Sequence, residues 1–247
     1  LMNSCNPYMI HLALEMGNSR FAYYQSLFGF GKITGIDLPG ETTGIVYGDR
    51  MTTIDAACNS FGQTINVNMM QMMAAYCSII NGGMLYQPHI VKRIESANGE
   101  VVKEYKANLV RQTITASTSK LLRRYLKNTV EEGTSKKAGV TGYSVAGKTG
   151  TAQKGDRKDN KWIISFIGHA PAENPKFAIY VVIDEPYGTT GTSGSSADVL
   201  TLTHNILEKL LPYMNVYKDA SDEYEDTSSS PDELTVDGIP AGTASSN

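Results

Sequence analysis

The chain has 247 residues, of which 41% are hydrophobic and 19% charged, and its formal net charge is −3. This is the composition of a globular protein with enough residues for one large domain or two small ones. It excludes several classes: there is no apolar run that could span a membrane, no basic cluster with interleaved aromatic residues as in nucleic-acid-binding proteins, and no cysteine or histidine spacing of a zinc site or disulfide scaffold.

The first half of the chain predicts two helices, a loop and a hairpin. The first helix follows Pro7, because proline is favoured in the first turn of a helix. The second is rich in methionine, with Asn66 as its candidate cap. Asn98-Gly99 predicts the turn of the hairpin. In chain order these segments are a helix over 7–30, a Gly/Pro loop over 35–41, a helix over 66–83 and a β-hairpin over 89–105.

The second half predicts a helix, three strands and a last helix. Ser117 or Thr118 is expected to cap the first of these helices, and Ser195 with Asp198 fits a capping box at the start of the second. In chain order the segments are a helix over 116–133, strands within 143–152, 162–170 and 177–185, and a helix over 196–213.

After Tyr217 the composition changes abruptly. Residues 218–247 contain one lysine and eight acidic residues, so residues 1–217 carry a net charge of +4. Such a tail cannot bury enough apolar surface to offset its chain entropy. We therefore expect two regions, a folded domain over 1–217 and a disordered acidic tail over 218–247.

The segment GYSVAGKTGTAQK, residues 142–154, fits two motifs. Residues 142–149 match G-x-x-x-x-G-K-T, the phosphate-binding loop of nucleotide hydrolases. Asp184, at the end of an apolar strand, stands where such an enzyme would bind a magnesium ion. A phosphate loop needs a buried strand before it and an amphipathic helix after Thr149. The flanks here are TSKKAGVT and GTAQKGDRKDNK, which are too polar for either element. The phosphate-loop interpretation therefore fails on its flanks, and we do not expect a P-loop NTPase.

The second motif is K-T-G at Lys148, which needs an extended strand, a turn and a second antiparallel strand. VAGKTGTA and WIISFIGHA supply both strands, and small residues beside the lysine are expected to let a substrate backbone approach closely. A companion motif stands at the start of the chain, where Ser4-Cys5-Asn6 has the form S-x-N. The two motifs occur together in serine acyl-transferases that bind penicillin.

In these motifs and several other segments the chain resembles the C-terminal part of a class B penicillin-binding protein, a peptidoglycan D,D-transpeptidase. The resemblance implies an α+β fold of the β-lactamase and penicillin-binding transpeptidase type: an antiparallel sheet with helices on its faces, incomplete at the N-terminus. It covers most of residues 1–213. The supporting segments are NSCNPYMI, FGFGKITGIDLPGE, SFGQTINVNMMQM, INGGMLYQPHIVKRI, VAGKTGTAQ and WIISFIGHAPAENPKFAIYVVIDEP.

The resemblance implies catalytic roles for three side chains. Ser4 would relay a proton to the leaving amine, and Lys148 would keep the site electropositive and orient Ser4. Asn6 would hold the substrate amide or a second lysine. The alternative for Ser4 and Asn6 is that they only cap the helix that begins at Pro7.

The same resemblance implies a substrate-binding role for Thr149, Gly150 and Thr151. The two threonines would hydrogen-bond the terminal carboxylate of D-Ala-D-Ala or of a β-lactam. The backbone N–H of Thr151 would form part of the oxyanion hole.

The nucleophile of the family is the serine of an S-x-x-K motif that precedes S-x-N. The only S-x-x-K in this chain, Ser117 to Lys120, lies between S-x-N and K-T-G, where a helix cap and a solvated lysine are expected. We therefore expect the nucleophile upstream of Leu1, together with an N-terminal membrane anchor, and expect this chain to be inactive by itself.

Further expectations follow from the resemblance. The partners would be peptidoglycan stem peptides, β-lactams and proteins of a cell-division or cell-wall synthesis complex, at the outer face of the cytoplasmic membrane. The reaction needs no cofactor and no metal. The S-C-N triplet is closer to the division or spore-cortex branch than to the elongation branch. The main alternative is a β-lactam sensor that is acylated without turnover.

Overall fold

A computed structural model describes residues 1–155, 160–186 and 195–220. It contains helices and antiparallel strands, which confirms the predicted α+β class. The helices are α1 Asn6–Met16, α2 Asn18–Leu27, α3 Thr53–Asn59, α4 Met69–Ile80, α5 Ala116–Glu131 and α6 Ala197–Tyr213. The strands are β1 Met84–Gln87, β2 Arg93–Glu95, β3 Val101–Glu104, β4 Asn108–Gln112, β5 Ala146–Lys154, β6 Lys161–Ala170 and β7 Phe177–Asp184.

The helix predicted over 7–30 is two helices. Gly17 ends α1 and precedes α2 with φ of +81°, a conformation that side chains with a Cβ disfavour. No side chain caps the N-terminus of α1. The alternative in which Ser4 and Asn6 serve only as helix caps is therefore wrong.

The predicted caps of three other helices are wrong by one to three residues. Asn66 pairs with Ile45 in an extended bridge, so α4 begins later, with Asn68 as its cap. The cap of α5 is Thr115, whose hydroxyl accepts a hydrogen bond from the Thr118 N–H. At α6 the cap residue is Ser196, and its side chain makes no capping bond, so the predicted box does not form.

The central sheet has the strand order β5-β6-β7, with both pairs antiparallel. Lys148 of β5 lies opposite Ile167 of β6, which lies opposite Tyr180 of β7. The predicted β2–β3 hairpin is confirmed. A second two-stranded sheet, β1 with β4, has no counterpart in the sequence prediction, and neither does α3.

The core lies on both faces of the central sheet. On one face, Leu207 and Leu211 of α6 and Ile164 and Phe166 of β6 are fully buried in one cluster. The other face carries Ala146, Ile167 and Ala178, which pack against α4 and α5 through Tyr76, Ile80 and Leu126. Burial of such side chains stabilises the fold by about 1.5–3 kcal/mol each. The strand that carries K-T-G is therefore held by a sheet packed on two sides.

The start of the predicted acidic tail lies against the body of the domain. The Asp219 carboxylate accepts hydrogen bonds from the N–H of Ser144, at 2.7 Å, and from its hydroxyl. The Asp219 N–H donates to the Gly142 carbonyl at 3.0 Å. Residues 221–247, to which the rest of the disorder prediction applies, lie outside the described residues.

Within the described ranges no helix is both long and apolar enough to cross a membrane.

Candidate active site

The S-x-N motif lies in a tight turn directly before α1. The Ser4 N–H donates to the Leu1 carbonyl at 3.1 Å, and Ser4 has φ of +50°, in the left-handed region. The turn is held from outside by Thr134, whose N–H donates to the Met2 carbonyl at 3.3 Å. A non-glycine residue with positive φ is uncommon, so the surrounding contacts must stabilise this conformation.

The S-x-N turn meets the K-T-G strand at one hydrogen bond. The Lys148 Nζ donates to the Ser4 Oγ at 2.9 Å, between residues 144 positions apart. The same ammonium group donates to the Thr149 carbonyl at 2.9 Å and lies 3.4 Å from the Thr149 Oγ1. The fold thus brings together the two motifs that the sequence paired only by family resemblance.

The environment of Lys148 is desolvated. Burial lowers the pKa of its ammonium group below the usual 10.5, because the charged form loses hydration. Within the described part of the chain no carboxylate forms an ion pair with it. A cation without an internal counter-ion is suited to attract an external carboxylate.

Thr149, Gly150 and Thr151 continue along β5, which in the described part of the chain has a neighbouring strand, β6, on one side only. Alternate backbone groups of an edge strand are unpaired and available to an extended peptide. Thr151 is exposed, and Thr149 is half-buried. Asn6 is exposed at the first position of α1, and the structure shows no hydrogen bond between its side chain and Ser4 or Lys148.

The glycines around Lys148 serve cross-strand packing, which differs from the expected role. A Cβ on Gly147 would overlap the Phe166 ring and lie 2.6 Å from the Ile167 carbonyl. A Cβ on Gly150 would lie 2.6 Å from the Ser165 Oγ. Gly147 is therefore explained by the buried face of β6 rather than by the approach of a substrate.

The S-x-x-K at Ser117 lies far from this site. Both Ser117 and Lys120 are exposed in the first turns of α5, and the Ser117 hydroxyl contacts only the cap, Thr115, at 2.9 Å. The hydrogen bond from α5 to β5 comes from Thr129, twelve residues after Ser117 and therefore about 18 Å along the helix axis. Ser117 is therefore a helix-start residue, as expected.

The structure confirms that Lys148 does not lie in a phosphate loop. Lys148 and Thr149 lie within β5, which pairs with β6 in an antiparallel hairpin. Among the residues that the structure describes, β5 continues to Lys154 and β6 begins at Lys161, so no helix N-terminus is found there to bind a phosphate. Asp184 and Glu185 instead form ion pairs with Lys154, each at 2.9 Å.

His169, near the end of β6, is fully buried. Its Nε2 lies 3.1 Å from the Ala172 carbonyl, which can only accept, so Nε2 carries the proton. Nδ1 then accepts from the Tyr76 hydroxyl at 2.8 Å. Burial lowers the pKa of His169 from 6.5 to about 4, so the ring is neutral.

Sequence reasoning missed the residues that hold the site together. Thr129 donates from its hydroxyl to the Gly147 carbonyl, directly before Lys148. Gly133 and Thr134 contact Met2. The only sequence signal was a glycine and a threonine after the end of a helix, a pattern typical of many helix ends.

Known proteins resemble this chain in sequence and in fold. The family described as the penicillin binding protein transpeptidase domain matches residues 1–208. Stage V sporulation protein D of Bacillus subtilis is 41% identical over 221 residues, 87% of this chain and 34% of that protein. Peptidoglycan D,D-transpeptidase FtsI of Escherichia coli is 33% identical over 226 residues, 89% of this chain and 36% of that protein. The chain thus spans about a third of these relatives' length.

The solved structures agree. Penicillin-binding protein 3 of Mycobacterium tuberculosis, complexed with ampicillin, superposes with a TM-score of 0.80 at 31% identity, covering 90% of this chain and 51% of that one. Its apo form gives a TM-score of 0.79. The S-x-N turn lies beside an antiparallel sheet whose edge strand carries K-T-G. Together with these matches, this arrangement shows that the chain belongs to the family of penicillin-binding protein transpeptidase domains.

Proposed function

We propose that this chain supplies part of the active site of a serine-type peptidoglycan D,D-transpeptidase. The observation that carries the proposal is the 2.9 Å hydrogen bond from the Lys148 Nζ to the Ser4 Oγ. It joins the two motifs that such enzymes use beside their nucleophile. The names of the relatives, among them peptidoglycan D,D-transpeptidases, support the same activity.

The nucleophilic serine, in this proposal, comes from an S-x-x-K segment that precedes Leu1. Its hydroxyl attacks the carbonyl of the penultimate D-alanine, with the lysine of that motif as the base, and an acyl-enzyme forms as the terminal D-alanine leaves. A second stem peptide then accepts the acyl group through its amine.

Ser4 completes the proton path. An ammonium group has no acceptor, so the hydroxyl hydrogen of Ser4 is not used by Lys148 and can be donated to the leaving amine. The hydrogen bond from Lys148 makes this hydroxyl more acidic and fixes its orientation. Asn6 is separated from Ser4 by Cys5 and is the first residue of α1. In this proposal its side chain holds the substrate amide or the upstream lysine.

The substrate carboxylate is bound at the start of β5. Lys148 attracts it, and Thr149 and Thr151 donate hydroxyl hydrogen bonds to it. Gly150, between the two threonines, leaves room for Ser165 on the neighbouring strand β6. The backbone N–H of Thr151, with that of the upstream serine, binds the developing oxyanion, an interaction worth about 3–4 kcal/mol in other acyl-transfer enzymes. β-Lactams inhibit the enzyme because they present the same carboxylate and carbonyl.

The enzyme acts at the outer face of the cytoplasmic membrane, held by an N-terminal helix outside this chain. Its protein partners belong to a cell-division or cell-wall synthesis complex. The similarity to stage V sporulation protein D and to FtsI supports the division or spore-cortex branch.

The test is labelling of the full-length protein with a fluorescent penicillin. We expect the wild type to label and Lys148→Ala to label at least about a hundredfold more slowly, since it removes both the charge and the Ser4 contact. Lys120→Ala, which removes an exposed lysine of α5, is the matched control and should label normally. The 247-residue chain alone should take no label.

A β-lactam sensor would also be labelled, so turnover distinguishes it. The transpeptidase should release the terminal D-alanine of a stem pentapeptide and transfer the remaining acyl peptide to an acceptor amine, whereas a sensor should release no D-alanine. Labelling of Lys148→Ala at the wild-type rate would contradict the site assignment itself.

A further inference from the structure

We propose that the C-terminal end of α5 and the turn after it, residues 129–135, form a bracket that sets the distance between Ser4 and Lys148. Thr129, Gly133 and Thr134 are then positioning residues of the reaction, although none of them touches the substrate. The catalytic meaning of the bracket rests on the proposed function, whereas its geometry does not.

One side of the bracket holds the K-T-G strand. The Thr129 side chain is fully buried, and its hydroxyl donates to the Gly147 carbonyl, with the Leu126 carbonyl at 2.8 Å as a second acceptor. Gly147 directly precedes Lys148, so this bond fixes the backbone from which the Lys148 side chain extends. Because β5 is an edge strand, α5 provides its support here instead of another strand.

The other side of the bracket holds the S-x-N turn. The N–H of Thr134 donates to the Met2 carbonyl at 3.3 Å, and the Thr134 Oγ1 lies 3.4 Å from the same oxygen. A Cβ on Gly133 would lie 2.7 Å from the Met2 carbonyl and 2.8 Å from the Met2 Cγ. Only a glycine allows the turn to approach this closely. Met2 lies inside the four-residue turn that places Ser4 in its left-handed conformation.

The two sides move together because residues 129–135 form one rigid unit. The Ser135 N–H donates to the Thr129 carbonyl at 3.0 Å, and the Ser135 side chain is fully buried. Val130, 2% exposed, anchors the unit in the core beneath the central sheet. A displacement on either side therefore appears directly as a change in the 2.9 Å between Lys148 and Ser4.

The chain offers matched variants for the test in the full-length protein. Thr129→Val removes the buried hydroxyl at nearly constant volume, and Thr129→Ser keeps it. Gly133→Ala pushes the Met2 carbonyl away. The control is Thr115→Val, which removes the N-cap hydroxyl of the same helix, about 20 Å from the bracket, at a comparable expected cost in stability.

The measurement separates initial binding of a fluorescent penicillin from the acylation step. A displacement of about 1 Å can cost up to about a hundredfold in rate, so we expect Thr129→Val and Gly133→Ala to slow acylation by roughly ten- to a hundredfold. Their initial binding constant should stay within about twofold of the wild type, Thr129→Ser should recover most of the rate, and Thr115→Val should acylate normally.

Amide hydrogen exchange provides a readout that does not need activity. In Gly133→Ala the Ser4 amide should exchange at least about tenfold faster, while Thr115→Val should leave it unchanged. If the wild type takes no label, the proposed function fails. Hydrogen exchange of the Ser4 amide then remains as the test of whether residues 129–135 position Ser4. Unchanged exchange at Ser4 in Gly133→Ala would overturn the proposal, as would a Thr129→Val protein that acylates at the wild-type rate or a Thr129→Ser protein as slow as Thr129→Val.

Discussion

At the scale of single residues, the fold holds two residues in unfavourable states, one of the side chain and one of the backbone. Lys148 is a partly desolvated cation without an internal carboxylate partner among the described residues, and Ser4 adopts a left-handed backbone conformation. Each of these reduces stability in the free protein, and such states cluster at functional sites. Family resemblance was enough to select these two residues. It could not predict the 2.9 Å contact or the strained turn, because both depend on residues 129–135.

The lowered pKa of Lys148 predicts that its charge destabilises the folded protein, and unfolding measurements can test this. Its folded-state pKa lies below 10.5, so the charged form destabilises the folded protein below the folded pKa, and this cost is relieved as pH rises toward 10.5. We expect Lys148→Met, which keeps the length and removes the charge, to raise the free energy of unfolding at pH 7 by about 0.5–2 kcal/mol while abolishing penicillin labelling. Urea titration measures the first effect; a Lys148→Met protein less stable than the wild type would contradict it.

The pKa of His169 is shifted in the same direction as that of Lys148, but its effect on stability falls in a lower pH range. Its pKa falls from 6.5 in the unfolded chain to about 4 in the folded protein, so the unfolded state binds the extra proton between these values. Stability is therefore full above pH 6.5 and declines as pH falls toward 4. The loss from this group is about 2 kcal/mol at pH 5. In His169→Gln the difference in unfolding free energy between pH 7 and pH 5 should shrink by about that amount, and an unchanged difference would exclude His169 as its source.

At the scale of elements, long periodic segments and the hairpin marked by Asn98-Gly99 were predicted, whereas other short elements were not. α4, α5 and α6 have long amphipathic patterns, so their positions were correct and only their caps were wrong. α3, with seven residues, and the β1–β4 pair have too short a pattern to be recognised. The split at Gly17 was missed because the apolar pattern continues through it, while the break is set by backbone conformation.

The packing of β5 on β6 predicts that Gly147 does not tolerate a side chain. Gly147→Ala places a methyl group against the Phe166 ring and the Ile167 carbonyl, and should destabilise the protein by about 2–3 kcal/mol or more. At Gly17 no atom lies within 4 Å, so the cost of Gly17→Ala comes from backbone conformation alone, with φ of +81° and ψ of +151°, and should be about 1–3 kcal/mol. Urea unfolding of the two variants measures both losses. A loss below about 1 kcal/mol in Gly147→Ala would show that the Gly147 contact relaxes without cost.

At the scale of the whole molecule, the sequence predicted the fold of the domain more accurately than its C-terminal boundary. The change in composition after Tyr217 suggested that the folded part ends there. The structure shows that Asp219 still bonds to Ser144 and Gly142, on the loop that leads into β5. One carboxylate can form such bonds in an otherwise polar segment, and composition does not show it.

Two truncations test this boundary. A chain that stops after Tyr217 loses the Asp219 bonds to Ser144, and charged hydrogen bonds of this kind contribute about 1.5–3 kcal/mol. A chain that stops after Ala220 keeps them and should match the full-length protein within about 0.5 kcal/mol. Thermal unfolding of the pair is the measurement. If both truncations are equally stable, the folded domain ends at Tyr217 after all.

The 144 residues that separate Ser4 from Lys148 also have a consequence for biosynthesis. A ribosome that adds about 5–20 residues per second needs roughly 7–30 s to travel from one motif to the other. For most of this interval the S-x-N turn has neither residues 129–135 nor β5 to dock against. The contact between Ser4 and Lys148 can therefore form only after the second motif has emerged and folded. In the proposed enzyme, reactivity toward penicillin would be acquired late in the synthesis of each molecule.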